Sequence, residues 1–414
     1  MSLVGASTTW AQGGRTTLIT EQQARRFGLT RAWATRIKMD SSRNRVHEIT
    51  LHQGALISVT DESMVQAFDA ETGRTLWTTL VGQRSFPNTP VGASASYVCV
   101  CNGSTLYVLS RRDGSLLFTR KLQGTPSAAP TVSDTRVYVP TFAGAVESYE
   151  IKPEKPKLTP TTYRTKGSID ESPVLAGDYL VWGTHAGGVY SANKDDLNAN
   201  YRFMTRGPIT AGLGYWPPLV YAASADGYIY AIDEKSGKRR WQFSTGYPAR
   251  QMPVPLDGNV YAIAELSGMH CLAADSGNER WFSADVAKFI AASRTRLYTA
   301  DEQDRLVIVD RRSGAHLGRM ATELLPIKVE NTQTDRVYLA TDTGLLQCLH
   351  EIDQVKPLVH ELPPDPEATP AGGRRAPAAA AAAAPGAAAD REMEADAPAD
   401  AAADDDPFGA AAQP

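Results

Sequence analysis

The stretch VYAASADGYIYAIDEKSGKRRWQF, residues 220–243, reads as three short strands joined by two turns. Aromatic and β-branched residues fill the first two strands, and Asp226-Gly227 between them is a strong hairpin signal. A second turn, from Asp233 to Gly237, precedes a third strand that carries Trp241. The pattern recurs along most of the chain, and this recurrence determines the predicted fold.

The strand-turn-strand pattern begins eight times at a spacing of about 40 residues, a period typical of propeller blades. The first strands of the eight units start near Leu56, Tyr97, Val137, Tyr179, Val220, Val260, Leu297 and Val337. Units three, four and seven depart from the pattern. The third carries the insertion KPEKPKLTP in place of the second turn, and the seventh has Gly318 where an aromatic residue is expected. Repeat arrays tolerate such variation because each blade contacts only its neighbours.

Four units repeat a turn glycine with an aromatic residue four positions later. The pairs are Gly73 and Trp77, Gly114 and Phe118, Gly237 and Trp241, and Gly277 and Trp281. Glycine permits the positive φ that such a turn needs. The ring is large enough to fill the seam between neighbouring sheets. We therefore predict that these residues, together with Trp33, are the structural positions of the repeat.

The eighth unit stops after its second strand, near His350, and lacks the third strand. The segment Arg31 to Met39, which carries Trp33, resembles that missing strand and lies near the N-terminus, after a predicted short helix in residues 21–28. Closing the ring with it would pair two otherwise exposed sheet edges. The sequence therefore predicts an all-β, eight-bladed propeller over residues 29–358, closed by an N-terminal strand. Because unit three is irregular, seven blades are the alternative.

The two ends of the chain differ in composition from the repeats. Residues 1–28 read as a signal-like remnant followed by a polar segment, because residues 1–12 are small and apolar but lack a positively charged start. We expect an exported protein whose signal peptide is incomplete in this sequence, and the alternative is a disordered cytoplasmic start. No cysteine near the N-terminus supports a lipid anchor. Residues 359–414, rich in Ala, Pro and Asp, are predicted to be a disordered acidic tail.

Composition excludes several classes of function. From Pro363 onward ten Asp and Glu face three Arg, so the preceding body carries a net charge of +3, the −4 of the whole less the −7 of this end. A nearly neutral body without a basic stripe argues against a nucleic-acid partner. The sequence contains no apolar run of the roughly 20 residues that a membrane-spanning helix needs. The four cysteines and seven histidines form no metal-binding motif, so we predict neither a metal nor a cofactor.

The motif Tyr230-Ala-Ile-Asp233, Ser236-Gly237, Trp241 resembles the PQQ-like (quinoprotein-type) β-propeller repeat, and the resemblance covers about three quarters of the chain. That family includes quinoprotein dehydrogenases and non-catalytic scaffolds similar to the outer-membrane assembly propeller BamB. The fold alone does not choose between them. In the dehydrogenases a disulfide of adjacent cysteines and a Ca²⁺ site hold the quinone, whereas Cys99 and Cys101 are separated by one residue on a predicted strand. The sequence therefore favours a protein without catalytic residues.

Long connections between successive repeats carry the residue types that dominate protein interfaces. They are residues 82–90, 207–218 and 245–253, and the predicted protein-binding residues in them are Arg84, Phe86, Tyr215, Trp216, Tyr247 and Arg250. We expect a monomeric scaffold of the periplasm or cell envelope that binds outer-membrane barrel proteins or assembly factors. The alternatives are that these loops only pack on neighbouring blades, that the central channel holds PQQ with Ca²⁺ or a sugar, and that the acidic tail binds a basic partner.

Overall fold

The structure, a computed structural model, describes residues 18–151 and 159–361. These residues form eight four-stranded antiparallel sheets, the blades of a propeller, and so confirm the predicted eight-bladed architecture. The signal-like segment, most of the insertion in unit three and all but the first three residues of the predicted tail lie outside the described residues. No helix in the described ranges is both long enough and apolar enough to cross a membrane.

Each blade runs from an inner strand beside the central channel to an outer strand at the rim. The inner strands of blades one to eight are Val46–His52, Gly92–Ala93, Thr131–Val132, Val174–Ala176, Gly214–Trp216, Val254–Leu256, Lys288–Ala292 and Ile327–Lys328. The second strands are Ala55–Thr60, Tyr97–Asn102, Arg136–Pro140, Tyr179–Gly183, Leu219–Ser224, Asn259–Ala264, Arg296–Ala300 and Val337–Ala340. The predicted first strands coincide with these second strands.

The third strands are Met64–Asp69, Thr105–Ser110, Ala145–Glu150, Gly188–Asn193, Tyr228–Asp233, Gly268–Ala273, Leu306–Asp310 and Leu345–Glu351. The outer strands are Thr75–Leu80, Leu116–Lys121, Thr161–Arg164, Ala199–Met204, Arg239–Ser244, Glu279–Ala284 and His316–Met320, with Leu29–Arg36 in blade eight. The sequence pattern predicted the second and third strands of every blade, and the outer strands of blades one, two, five, six and eight, but it missed the inner strands. Most inner strands have only two or three residues, and several of them contain Gly or Pro. A strand of that length is too short to give a periodic pattern in the sequence.

The N-terminal closure of the ring is confirmed. Strand Leu29–Arg36 pairs antiparallel with Leu345–Glu351, and Trp33 lies opposite Cys348. The chain enters this strand through a short helix, Glu21–Arg25, whose capping box joins Thr20 and Gln23. Both ends of the propeller therefore contribute strands to blade eight. Their pairing covers a sheet edge that would otherwise be exposed.

The aromatic residues of the repeat fill the seams between blades, as predicted. Trp77 of blade one donates from its indole nitrogen to the carbonyl of Arg111 in blade two, at 2.8 Å. A Cβ atom on Gly114 would overlap the Trp77 ring, and Gly114 has φ of +71°. The glycine is therefore required twice, for its backbone conformation and for the close approach of the preceding blade's ring. The same arrangement joins Trp33 to Gly73, Tyr201 to Gly237, Trp241 to Gly277 and Trp281 to Gly314.

Three seams differ from this arrangement. Between blades three and four, Tyr163 packs into a cluster with Leu197, which has φ of +57° at the position where other turns have glycine. Phe118 is half-buried in the seam between blades two and three, where the facing turn lies largely outside the described residues. At the seam between blades seven and eight the pair is reversed, because Gly318 stands at the aromatic position of blade seven. The ring comes instead from Phe27 of blade eight, which would lie 2.9 Å from a Cβ atom on Gly318. The N-terminal segment thus supplies the ring that unit seven lacks.

All four cysteines are free and buried. Cys271 and Cys348 lie opposite Trp281 and Trp33, in the position that Ala67 and Ala231 occupy in other blades. Burial raises the pKa of the Cys271 thiol to about 12, so the thiol remains protonated. These residues fill small packing positions in the seams, as the sequence predicted.

The chain continues past the third strand of blade eight and packs against the propeller as far as Glu361. The backbone amide and carbonyl of Leu358 bond to Asp335, and the carbonyls of Gln354 and Val355 accept from the buried Arg336. Farther along, His360 is buried and bonds to the carbonyl of Ala292 at 2.8 Å. This segment therefore ties blade eight to blade seven beyond the strand pairing.

Candidate protein-binding face

The order of the strands gives the propeller two different faces. In blade five the turn between the second and third strands, residues 225–227, lies at the same end as the connection to the next blade, residues 245–253. We call this end, in all blades, the loop face. The opposite end, which carries the turns between inner and second strands and between third and outer strands, is the turn face.

Hydrogen bonds hold the long connections of the loop face against the neighbouring turns. The hydroxyl of Thr245 bonds to the carbonyls of Gly227 and Tyr247, at 2.9 and 2.7 Å. The backbone amide of Glu265 in blade six donates to the carbonyl of Pro248. Thr165 and Thr205 repeat the threonine bond in the two preceding connections. The loops are therefore pre-organised, which lowers the entropy cost of binding a partner.

Tyr247 and Leu266 are exposed apolar residues of the loop face, with 51 % and 90 % of their surfaces accessible. They are adjacent because Pro248 and Glu265 are hydrogen-bonded. Arg250 forms a salt bridge with Glu265 at 3.4 Å and is itself exposed. Tyr247 and Arg250 therefore lie where the sequence predicted, on an accessible loop. The sequence analysis did not single out Leu266. Its position corresponds to Asp226 in the turn of blade five, and an apolar residue in such a turn could have indicated an exposed binding residue.

Arg84 and Phe86 lie on another part of the loop face, in the connection between blades one and two. Phe86 is 49 % exposed, and Arg84 is exposed as well. The loop is organised by the buried Asn102, whose amide donates to the carbonyls of Gln83 and Phe86. This connection and the one carrying Tyr247 are separated by four of the eight blades, so the two predicted pairs lie on opposite sides of the ring.

Tyr215 and Trp216 are not in a loop, which corrects the prediction for residues 207–218. They form the end of the inner strand Gly214–Trp216 of blade five, next to the turn face, and both are half-buried. Tyr215 donates its hydroxyl to Glu234 at 2.8 Å. The sequence analysis did not predict this strand, because it has only three residues and is followed by two prolines. The six predicted residues thus occupy three separate places, and only Tyr247 and Arg250 adjoin an exposed apolar patch.

The central channel carries charged residues that the sequence analysis did not single out. Glu48, Lys288 and Glu330 project from blades one, seven and eight into a cavity of about 580 Å³. Glu171 of blade four interacts with Glu48 and Glu330 through charge repulsion. Three of these side chains belong to inner strands or their immediate extensions, the elements that sequence periodicity missed. The channel is therefore lined by charges rather than by small side chains.

The channel carboxyl groups hold their protons more tightly than usual. Desolvation raises the pKa of Glu330 to about 7, with a smaller opposing effect of Lys288. Desolvation, followed by repulsion from Glu48, raises the pKa of Glu171 to about 7 as well. The pKa of Glu48 is also raised by desolvation. Near neutral pH these groups therefore carry less negative charge than three exposed carboxylates would.

We expect stability to decline as pH rises through the channel carboxyl pKa values. Because the folded-state pKa of Glu330 lies above its ordinary value of 4.5, the stabilising effect of its protonation is complete below that value and is lost as pH approaches about 7. Glu330→Gln should therefore flatten the dependence of the thermal midpoint on pH between about 5 and 8. Glu302→Gln, at an exposed turn, is the matched control. Equal slopes in the wild type and Glu330→Gln would contradict the prediction.

Two features of the quinone site expected of a quinoprotein dehydrogenase are lacking among the described residues. Across residues 18–151 and 159–361, no three His, Cys, Asp or Glu side chains are grouped closely enough to hold a metal ion. Lys288 lies among the channel carboxylates and competes with a divalent cation for them. The four cysteines, all free and buried in the seams, supply no disulfide to stack against a quinone.

The eight sheets and the ring-on-glycine seams define a β-propeller of PQQ-like repeats. The predicted resemblance is confirmed, because the profile of the family described as outer membrane protein assembly factor BamB matches residues 61–199 and 161–319. The chain belongs to this family of BamB-like propellers.

Individual relatives are distant in sequence. The outer membrane protein assembly factor BamB of Yersinia pestis is 22 % identical over 292 residues, which are 63 % of this chain and 72 % of the relative. Among solved structures, BamB from Moraxella catarrhalis superimposes with a TM-score of 0.64 at 16 % identity, covering 78 % of this chain and 98 % of that one. The computationally designed Ika8 protein gives a TM-score of 0.58 at 15 % identity, covering 74 % and 96 %. These structures share the fold.

Proposed function

We propose that this protein is a non-catalytic scaffold of the cell envelope, acting in the periplasm by binding outer-membrane proteins or the factors that assemble them. Membership of the BamB-like family supports the proposal, since the relatives from Yersinia pestis and Moraxella catarrhalis are named as BamB. The observation that carries it is the patch of Tyr247 and Leu266 on a hydrogen-bonded base. No cofactor is needed for this function.

The patch has the properties of a small interface centre. An aromatic and a leucine side chain lie exposed on the same surface, flanked by the ion pair of Arg250 and Glu265. Interface energy concentrates in such apolar and arginine positions, while a surrounding polar rim excludes water. Because the supporting ring is closed and its loops are bonded to each other, the patch can bind a partner segment with little rearrangement. Arg84 and Phe86 are proposed as a second, separate contact.

Site-specific photo-crosslinking tests this proposal. A photoreactive residue at position 247 or 266 should capture an outer-membrane barrel protein or a subunit of its assembly machinery in cells. The control is the same residue at position 317, where the exposed Leu317 lies toward the turn face. Capture of the same protein from position 317, or of none from 247 and 266, would contradict the proposal. Binding of PQQ with Ca²⁺ by the purified protein would favour the dehydrogenase alternative.

A further inference from the structure

The second strand of most blades carries a tyrosine at one repeat position. These residues are Tyr138, Tyr221, Tyr261, Tyr298 and Tyr338, and all five are nearly completely buried. In blades five, six and eight the ring lies against the seam tryptophan of its own blade, with centroids 5.8 to 6.1 Å apart. Its hydroxyl reaches the next blade's turn, as Tyr221 does at the carbonyl of Ala274. The tyrosine thus fills the end of the seam at the turn face.

Blade one has Ile57 at this position, beside Trp77. A cleft of about 460 Å³ opens at this place on the turn face, between blades one and two. Its walls are the apolar or small side chains Ala55, Ile57, Ala67, Leu76, Trp77 and Ala95, and Arg111 and Arg112 lie at its end. The cleft is thus located where five other blades contribute a phenol ring, whereas blades two and four have Cys99 and Val181 at this position.

The arginine at the end of the cleft is incompletely bonded. Arg111 donates from its two terminal nitrogens to the carbonyls of His52, Gln53 and Ala95 and to the side chain of Gln53, all of them neutral acceptors. Its Nε atom is buried and has no hydrogen-bond acceptor among the described residues. A buried donor without an acceptor destabilises the folded protein, and a ligand that supplies the acceptor removes this penalty.

In the seam between blades six and seven, the corresponding space is filled by the side chain of Tyr261. There Arg311 holds the position of Arg111, and its Nε donates to the hydroxyl of Tyr261 at 3.1 Å. Its terminal nitrogen bonds to Asp257 at 2.7 Å, where Arg111 has the neutral Gln53. The comparison within one chain therefore identifies two features that the first seam lacks, a ring carrying an oxygen acceptor and a negative charge.

We infer that the cleft between blades one and two is a binding site for an aromatic ring that carries a phenolic or carboxylate oxygen. The ring would occupy the space beside Trp77 and Ile57, and its oxygen would accept a hydrogen bond from Nε of Arg111. An anionic oxygen is favoured over a neutral one because, in the part of the chain that the structure describes, no acidic side chain is bonded to the guanidinium of Arg111. The ligand is either a free aromatic acid or the tyrosine side chain of a protein. This site lies on the turn face and is independent of the proposed function of the loop face.

Binding of small aryl probes to the purified full chain tests the inference by calorimetry and by chemical-shift perturbation. Phenylacetate and 4-methylphenol represent the two oxygens, and acetyl-Gly-Tyr-Gly-amide represents a protein tyrosine. Ile57→Tyr should abolish binding, with at least a tenfold loss of affinity, and raise the thermal midpoint, because the repeat's own tyrosine fills the cleft. Ile57→Leu, which conserves volume, should bind as the wild type does. Binding of phenylacetate alone would indicate a free acid as the natural ligand, and binding of the peptide would indicate a protein side chain.

A reciprocal variant keeps the test decisive if Ile57→Tyr does not fold. Tyr261→Ile should open an equivalent cleft beside Trp281, lower the thermal midpoint and gain binding of 4-methylphenol. Absence of binding of all three probes to the wild type at tens of millimolar would overturn the inference. So would undiminished binding to a folded Ile57→Tyr protein.

Discussion

Trp241→Ala is expected to lower the free energy of unfolding by about 3–5 kcal/mol, the range found for deleting a large buried aromatic side chain. The ring is only 8 % exposed and fills the seam between blades five and six. It also donates to the carbonyl of Ala274 at 3.0 Å and covers Gly277, whose Cβ position lies 2.6 Å from the ring. Urea unfolding followed by circular dichroism measures the change.

Two companion variants separate the contributions to this effect. Trp241→Phe keeps an aromatic ring but removes the indole N–H, so it should recover most of the packing and leave the Ala274 carbonyl without that donor. Leu317→Ala, at a side chain that is 55 % exposed, should change stability by less than about 0.5 kcal/mol. A cost for Trp241→Ala no greater than that of Leu317→Ala would show that the seam ring does not stabilise the propeller.

The reversed seam between blades seven and eight predicts a pair of mutations that compensate each other. Gly318→Trp alone should destabilise the protein by about 1–3 kcal/mol, because the new ring meets Phe27 in a filled space. Phe27→Gly alone should also destabilise it, by leaving the seam empty. The double variant restores the usual arrangement, with the ring on blade seven and glycine on blade eight, and should be more stable than either single variant.

A double-mutant cycle measures this coupling directly. Contacting residues give interaction energies of about 0.5–3 kcal/mol, so the double variant should deviate from additivity by at least that lower value. The matched control combines Gly318→Trp with Trp33→Gly, which lies at the next seam and does not face Gly318. Additive effects of Gly318→Trp and Phe27→Gly would contradict the proposed exchange of ring and glycine.

The experiments on the two faces answer different questions. The crosslinking test addresses Tyr247 and Leu266 on the loop face, and the aryl probes address the cleft beside Trp77 on the turn face. Failure of one leaves the other unaffected, because the two sites share no residue and belong to different ends of the blades. The predicted role of the acidic tail lies outside the described residues and is tested separately by the salt dependence of partner binding with and without residues 362–414.

The architecture was predictable from the amino-acid sequence alone. Repeated glycine and aromatic positions marked the blades, and the solitary strand with Trp33 indicated how the ring closes. Because these features are local and periodic, they can be recognised in the sequence without knowledge of distant contacts. The same reasoning identified Tyr247 as exposed, because a proline-flanked loop between strands lies at the surface.

Features that depend on contacts between neighbouring blades became visible only in the structure. It placed Tyr215 and Trp216 in an inner strand, and it gathered Glu48, Glu171 and Glu330 in one channel although they are far apart in sequence. It also showed that Phe27 fills the space over Gly318. Each of these facts arises where separate repeats meet, and the hydrophobic pattern within one repeat carries no information about which residue of another repeat will face it.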